Sequence, residues 1–236
     1  VVSREAEQER EYDRPYHHLI RETGRGIAYI SLMRIVREGV APEPGKTVLD
    51  AGCGDGRLLL ELEHSGAALF GIDASLKALR HAAGFNPRAG ISAHDLAALG
   101  LKGETFSTIT LIETLEHIPP ERTDRVLSEL NRVLKPGGSL LVSVPTPLLP
   151  RPAKHYRHFG PEELHSILSR HFNVERITGH CRRSRLYDLL VAVGDNGLWH
   201  LRAGYNGLLR SYFRRSIEHC PPDKALRLIA VCTKGL

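Results

Sequence analysis

Thr47-Val48-Leu49-Asp50-Ala51-Gly52-Cys53-Gly54-Asp55-Gly56 is a short apolar strand that runs straight into a glycine turn. Glycines at such a turn let the backbone approach a ligand without Cβ clashes. A regular alternation spreads outward from it. A helix is predicted from about Gly56 to His64, a strand over Ala67–Ile72 ending at Asp73, and a helix from Ser75 to about Ala83. Strands follow at about Gly90–Ala93 and Phe106–Ile112. The helix Pro120–Leu134 then sets Val126, Leu127, Leu130, Val133 and Leu134 on one face. Lys135-Pro136-Gly137-Gly138 ends it and leads into a strand over Ser139–Val144. Strands alternating with helices imply right-handed β-α-β units and a doubly wound α/β sheet covered on both faces. Ligands bind such sheets at the carboxyl ends of the strands. That rule selects Asp50 to Gly56, Asp73, Asp95, Glu113 and Pro145 as the residues to watch.

The turn itself excludes two nucleotide sites. The dinucleotide fingerprint is G-x-G-x-x-G, whereas here the third glycine comes one residue early and Asp50 precedes the first. An acid there would repel a pyrophosphate and suits a ligand with a positive end. A phosphate-binding loop is excluded by the missing Gly-Lys-Ser/Thr.

The segment Val48 to Gly56 resembles the first motif of class I S-adenosylmethionine-dependent methyltransferases. Asp73, Asp95-Leu96 and Leu134-Lys135-Pro136-Gly137-Gly138 stand where that family has its further landmarks. The resemblance covers about residues 45 to 180. It implies a seven-stranded, mostly parallel Rossmann-like sheet whose last strand, here Leu226–Val231, is inserted antiparallel. It also implies S-adenosyl-L-methionine as cofactor. Asp50, Gly52, Cys53 and Gly54 would border it. Asp73 with Ala74 would hold the ribose, since a carboxylate accepts from two vicinal hydroxyls. Asp95 and the Leu96 backbone N–H would meet the adenine. Asp55 and Ser75 read as a loop residue and a helix cap.

Glu113-Thr114-Leu115-Glu116-His117-Ile118 lies just past the fourth strand. Glu113 is placed at the cofactor's methionyl end or the acceptor. His117 is expected to titrate near neutral pH and to act as base, with Glu113 beside it. The ubiquinone-pathway O-methyltransferases carry a similar Glu-x-x-Glu-His. Small-RNA ribose 2′-O-methyltransferases use a similar motif, with a later histidine, to bind a divalent metal. His155 or His158 would be that later ligand here, for Mg²⁺, Mn²⁺ or a related ion. Equally, Glu116 and His117 could cap the helix that begins near Pro119. The metal question stays open on sequence alone. The expected acceptor is a small molecule methylated at oxygen. An RNA substrate is the alternative, and a catalytically silent adenosylmethionine-binding partner subunit is a third reading.

Composition is that of an ordinary soluble globular chain: 236 residues, formal charge +5 and 25% charged residues. The modest basic balance favours an anionic partner only weakly. Cys53, Cys181, Cys220 and Cys232 form no C-x-x-C pair, so free thiols and a reducing cytoplasmic setting are expected. No apolar run reaches spanning length. The first residue is valine and the only methionine is Met33, so the sequence reads as a piece of a longer chain or one lacking a leader. Residues 1–44 are expected as an N-terminal helical cap, with a stop at Gly39 and with Tyr16, His17 and His18 closing over the pocket. Residues 45–236 are the cofactor-binding domain. A helical insert over about 184–217 carries Leu186, Leu189, Leu190, Leu198, Trp199, Leu201, Leu208 and Leu209, and is expected to wall or cover the acceptor pocket. The proline-rich loop ending in His155, Tyr156, Arg157 and His158 is expected to face the acceptor as well.

Overall fold

The computed structural model describes residues 4–194 and 203–235. Leu198, Trp199 and Leu201 lie outside the described residues. In chain order the elements are α1 (Arg4–Glu11), α2 (Tyr16–Leu19), α3 (Gly26–Val40), β1 (Thr47–Ala51), α4 (Arg57–Leu62), β2 (Ala68–Asp73), α5 (Leu76–Phe85), β3 (Gly90–Ala93) and β4 (Phe106–Ile112). Then follow α6 (Thr123–Val133), β5 (Leu134–Pro145), α7 (Pro161–Leu168), β6 (Asn173–Arg182), α8 (Arg185–Gly194), α9 (Ala203–Ser216), β7 (His219–Cys220) and β8 (Ala225–Thr233).

One sheet runs in the order β3-β2-β1-β4-β5-β8-β6-β7. Strands β1 to β5 pair in parallel, and β8 runs antiparallel between β5 and β6. The expected seven strands are all present. The eighth is the two-residue β7, which pairs Gly179 and His180 with Cys220 and His219. So short a strand carries no hydrophobic alternation by which sequence reading could find it.

Alternation along the strands builds a core on each face. Leu49, Leu111, Leu140 and Val142 meet Val126, Leu130, Leu164 and Leu168 of α6 and α7. Val48 and Leu141 meet Val36, Leu59 and Leu79 of α3, α4 and α5. Each fully buried leucine contributes roughly 1.5–3 kcal/mol. Val36 and Val40 of α3 belong to this second core, so the helix packs directly on the sheet. Gly39 does not stop it. α3 runs on to Val40, and Ala41 takes the left-handed turn at φ 41°. A Cβ on Gly39 would come within 2.6 Å of the Leu141 side chain, so this glycine serves close packing on β5.

The insert also departs from expectation. Tyr187, Val191, Leu209 and Phe213 of α8 and α9 pack with Ile27 of α3, and the Tyr187 hydroxyl donates to the Gly24 carbonyl at 2.8 Å. No described residue of 184–217 lines the main cavity. Of the leucines named from spacing, Leu209 is buried there and Leu190 half-buried, whereas Leu186, Leu189 and Leu208 are exposed, because spacing alone does not say which side of a helix is covered.

Candidate active site

The strand order reverses between β1 and β4, which is where doubly wound sheets bind ligands. A cavity of about 840 Å³ opens there, bordered by the carboxyl ends of β1 to β4, the N-terminal segment and the loop after β5. It falls in the range typical of cofactor and small-molecule sites.

All the cofactor-side candidates reach it except where noted. Asp50 at the end of β1 is buried and accepts from Thr110 Oγ1 at 2.7 Å. Burial without a cation pushes its carboxyl up to about 7 despite that bond. Gly52 and Gly54 take φ of 75° and 53°. A Cβ at Gly54 would sit 2.7 Å from the Tyr12 hydroxyl, so the turn closes against the N-terminal segment. Cys53 is buried, and burial raises its thiol well above the ordinary range, so it is a wall and not a nucleophile. Asp73 Oδ2 accepts from Gly54 N and Oδ1 from Ser75 N, each at 2.9 Å. Burial still raises its carboxyl overall. Ala74 and Leu96 line the same cavity. Asp95 is about half exposed and engaged by Arg122 Nη2 at 2.6 Å and by Ala97 N at 3.0 Å. The Ala97 N–H and Arg122 hold it below the usual carboxylate range. Ser75 caps α5 as expected, accepting from Ala78 N at 3.0 Å.

Asp55 lies in the turn between β1 and α4, as expected of a loop residue, but its side chain has a further role. It is fully buried and accepts from the His17 backbone N–H at 3.1 Å and from His17 Nδ1 at 3.0 Å. Its own carbonyl meets His18 Nε2 at 2.9 Å. Burial acts to raise Asp55, but the His17 bonds outweigh it and hold the carboxyl below its usual value. Tyr12, Tyr16 and His17 thereby form one wall of the cavity. His18 turns away and stacks on Phe85 at 3.8 Å between ring centroids. The sequence signal for this latch was a histidine pair near aromatic residues, which names no partner.

Glu113 lines the cavity but is already paired. It sits at φ 50°, a left-handed conformation that costs a non-glycine residue about 1 kcal/mol or more. Arg227 Nε donates to Glu113 Oε2 at 2.8 Å, and Ser143 Oγ to Oε1 at 2.9 Å. Arg227 reaches from β8 across β5, and sequence reading passed over it inside a strand. An arginine in an otherwise apolar strand was the available signal, since buried charges need partners.

Glu116 and His117 do not cap a helix. They lie in a short 3-10 turn, and the next helical turn starts after Pro119 with no side-chain cap. Glu116 is buried, and burial together with Glu113 raises its carboxyl far above the ordinary range. His117 does not titrate near neutral pH. Burial, with His155 and Lys154 nearby, pushes it down to about 3. His155 is pushed to about 4, by burial and then by His158. Their lone pairs are thus available at neutral pH. His155 is the histidine that reaches the cavity, with Tyr156 beside it, while His158 stands behind. Arg157 turns to the other side, donating to Thr123 Oγ1 at 2.7 Å.

A Rossmann-like sheet with an acid-bordered glycine turn at its switch point defines a nucleoside-binding α/β protein. Residues 17–189 match a family described as a methyltransferase domain, and the chain belongs to the class I S-adenosylmethionine-dependent methyltransferases. It is 40% identical over 123 residues to a ubiquinone biosynthesis O-methyltransferase of Thiobacillus denitrificans, covering 49% of this chain and 50% of that protein. It is 27% identical over 191 residues to a probable S-adenosylmethionine-dependent methyltransferase of Mycolicibacterium smegmatis, covering 77% and 69%. The chain spans about half the length of the ubiquinone-named relatives it matches. Among solved structures, a methyltransferase from Archaeoglobus fulgidus superposes with a TM-score of 0.64 at 19% identity, over 93% of this chain and 100% of that one. That likeness speaks for the fold alone.

The residues fit the family's cofactor. Asp50 and Asp73 place two buried carboxylates on one cavity with no cation against Asp50 among the described residues, and burial holds both carboxyls above their ordinary range. A ligand that brings positive charge and hydroxyl donors would relieve both. Among the described residues no helix is long and apolar enough to cross a membrane.

Proposed function

We propose that the chain transfers a methyl group from S-adenosylmethionine to a hydroxyl oxygen of a small-molecule acceptor. The observation that carries this is one cavity shared by two chemistries. The carboxyl ends of β1 and β2 and the turn after β3 contribute Asp50, Asp73 and Asp95, and the segments after β4 and β5 contribute Glu116, His117, His155 and Tyr156.

When bound, the cofactor supplies a methyl group already activated on sulfur, so orientation and a dry site are what the protein must add. Asp73 would hold the ribose hydroxyls with the lone pairs left by Gly54 and Ser75. Asp95 and Leu96 would border the base, with Asp95 shared with Arg122. Asp50 and the glycine turn would border the charged end. Tyr12, Tyr16 and His17 exclude water from that side. On the acceptor side, His117 and His155 hold unprotonated nitrogens that can accept or orient a hydroxyl hydrogen. Glu113, neutralised by Arg227, positions the turn that carries His117. The O-methyltransferase names of the relatives support oxygen as the methylated atom.

The test is a transfer screen with methyl-labelled cofactor against hydroxyl-bearing metabolites and against RNA. Label in a small hydroxyl compound is the expected result. Label in RNA, or tight cofactor binding with no transfer to any acceptor, would replace this reading with the ribose-methyltransferase or silent-subunit alternatives.

A further inference from the structure

We propose that the Nη edge of the Arg227 guanidinium is an anion subsite that holds a carboxylate of the acceptor, which makes the acceptor an aromatic hydroxy acid. Arg227 sits on β8, paired with Pro145 at the carboxyl end of β5, and its side chain lines the cavity. A guanidinium carries five N–H donors in a fixed fork. Here Nε donates to Glu113 Oε2 at 2.8 Å, and among the described residues neither Nη1 nor Nη2 has a hydrogen-bond partner. The side chain is 27% exposed, so the four remaining donors are within reach of a ligand.

Glu113 fixes this group without using it up. Its Oε1 accepts from Ser143 Oγ at 2.9 Å and its Oε2 takes the Nε edge, which sets the plane of the fork and leaves the Nη edge open. Two parallel N–H groups on that edge match the two oxygens of a carboxylate. Glu116 does not fill the place, because its buried Oε2 has no hydrogen-bond partner although Arg227 and Lys154 are the cations that act on it. Charge is sorted along the cavity. Asp50, Asp73 and Asp95 stand at the β1 to β3 end, where they suit a ligand with positive charge and hydroxyl donors. In the order β1-β4-β5-β8, β8 lies three strand spacings from β1, roughly 14 Å away. The cofactor end is thus acidic, and the far end offers a cation.

The walls beside that cation are planar. The Tyr156 N–H donates to the Glu116 carbonyl at 2.8 Å, which folds the loop after β5 back over the turn after β4. His155 then meets His117 edge to face, with 4.6 Å between ring centroids, and Tyr156 and Tyr16 line the same cavity. A flat aromatic ring packs well on such faces and edges. A ring that bears a carboxylate and a hydroxyl satisfies all three features: the Nη edge, the aromatic walls and the unprotonated imidazole nitrogens. That the hydroxyl is the methylated group rests on the methyl-transfer reading above, whereas the anion subsite stands on Arg227 alone.

The experiment needs no turnover. The full chain saturated with S-adenosylhomocysteine is titrated in a calorimeter with 2-, 3- and 4-hydroxybenzoate. The matching hydroxybenzamides, which keep ring and hydroxyl but lose the charge, serve as controls. At least one hydroxybenzoate should bind about 10- to 100-fold more tightly than its amide. Arg227→Lys keeps a positive charge for Glu113 but loses the fork, and should cut that preference about 10-fold. Arg227→Leu should abolish it. Both variants should hold S-adenosylhomocysteine as wild type does. Melting curves check folding, and if Arg227→Leu does not fold, Arg227→Lys decides. Three results overturn the subsite: no carboxylate preference in wild type, an undiminished preference in folded Arg227→Lys, or a parallel fall in S-adenosylhomocysteine affinity. The last gives the Nη edge to the cofactor's own carboxylate. A carboxylate preference that depends on Arg227, with no methyl transferred to any acceptor, would sink the proposed function and leave the subsite standing. Methylation of hydroxyl compounds with no carboxylate preference would do the reverse.

Discussion

Replacing Asp55 with alanine should undock the N-terminal segment while leaving the sheet intact. The carboxylate accepts two hydrogen bonds from His17, at 3.1 and 3.0 Å, and is itself fully buried. Hydrogen bonds to a charged group contribute roughly 1.5–3 kcal/mol each. The His17 side chain is 21% exposed, so water recovers part of that when the segment lifts. A net loss of about 2 kcal/mol is expected, which is about a 30-fold shift toward the open state. The segment keeps other ties, several of them exposed: Lys77 to Asp13 at 2.6 Å, His81 Nε2 to the Tyr12 carbonyl at 3.0 Å, Arg57 to the His17 carbonyl at 3.2 Å, Arg4 to the Ala153 carbonyl at 2.7 Å, His18 Nε2 to the Asp55 carbonyl at 2.9 Å, and Lys154 to Glu11. Hydrogen exchange followed by mass spectrometry reads the effect directly. Amides of residues 4–19 should exchange about 30-fold faster in Asp55→Ala, with β1 and β4 unchanged. Asp55→Asn, which keeps an acceptor, should lie between. The segment walls the cavity, so dissociation of S-adenosylhomocysteine should quicken in the same order. Since the Asp55 carboxyl is held below its ordinary value, docking is present above the ordinary carboxylate range and is lost as pH falls through the depressed value. Unchanged exchange in folded Asp55→Ala would refute the latch.

Asp73→Ala should weaken adenosylmethionine binding by about 1–3 kcal/mol in calorimetry, and equal affinity in a folded variant would remove its ribose role. Asp50, raised to about 7, binds its proton more tightly folded than unfolded; its stabilising contribution is present below the ordinary carboxylate range and is lost as pH rises through about 7. Denaturant titrations of ligand-free Asp50→Asn should therefore lose less stability than wild type over that rise, and parallel curves would refute the assignment. Arg227→Leu strands the Glu113 carboxylate, and with both partners about a quarter exposed a loss of about 1–3 kcal/mol is expected in chemical unfolding. No change would mean that Glu113 is held by Ser143 alone. Tyr156→Ala should lower turnover on the acceptor that the screen identifies while leaving cofactor affinity unchanged; a parallel fall in both would place Tyr156 outside the acceptor side.

The sheet and its cofactor edge were legible in the sequence because their signals are local. Apolar runs of strand length, glycines at the first turn and an acid at each strand end lie close together along the chain, and a strand's direction carries its last residue to the ligand edge. That is why Asp50, Asp73 and Asp95 arrive together at one cavity. Pairings distant in sequence were not legible. Asp55 finds His17 from 38 residues away, Arg227 finds Glu113 across an intervening strand, and His155 joins Glu116 and His117 only when the loop after β5 folds back. Charge states belonged to tertiary structure for the same reason. His117 reads as a neutral-range titrating group in sequence, but desolvation is a property of what surrounds it, and burial takes it to about 3. The insert shows the same division. Helical spacing marks an apolar face on α8 and α9, while only packing decides that the face meets α3 and leaves the cavity to the N-terminal segment.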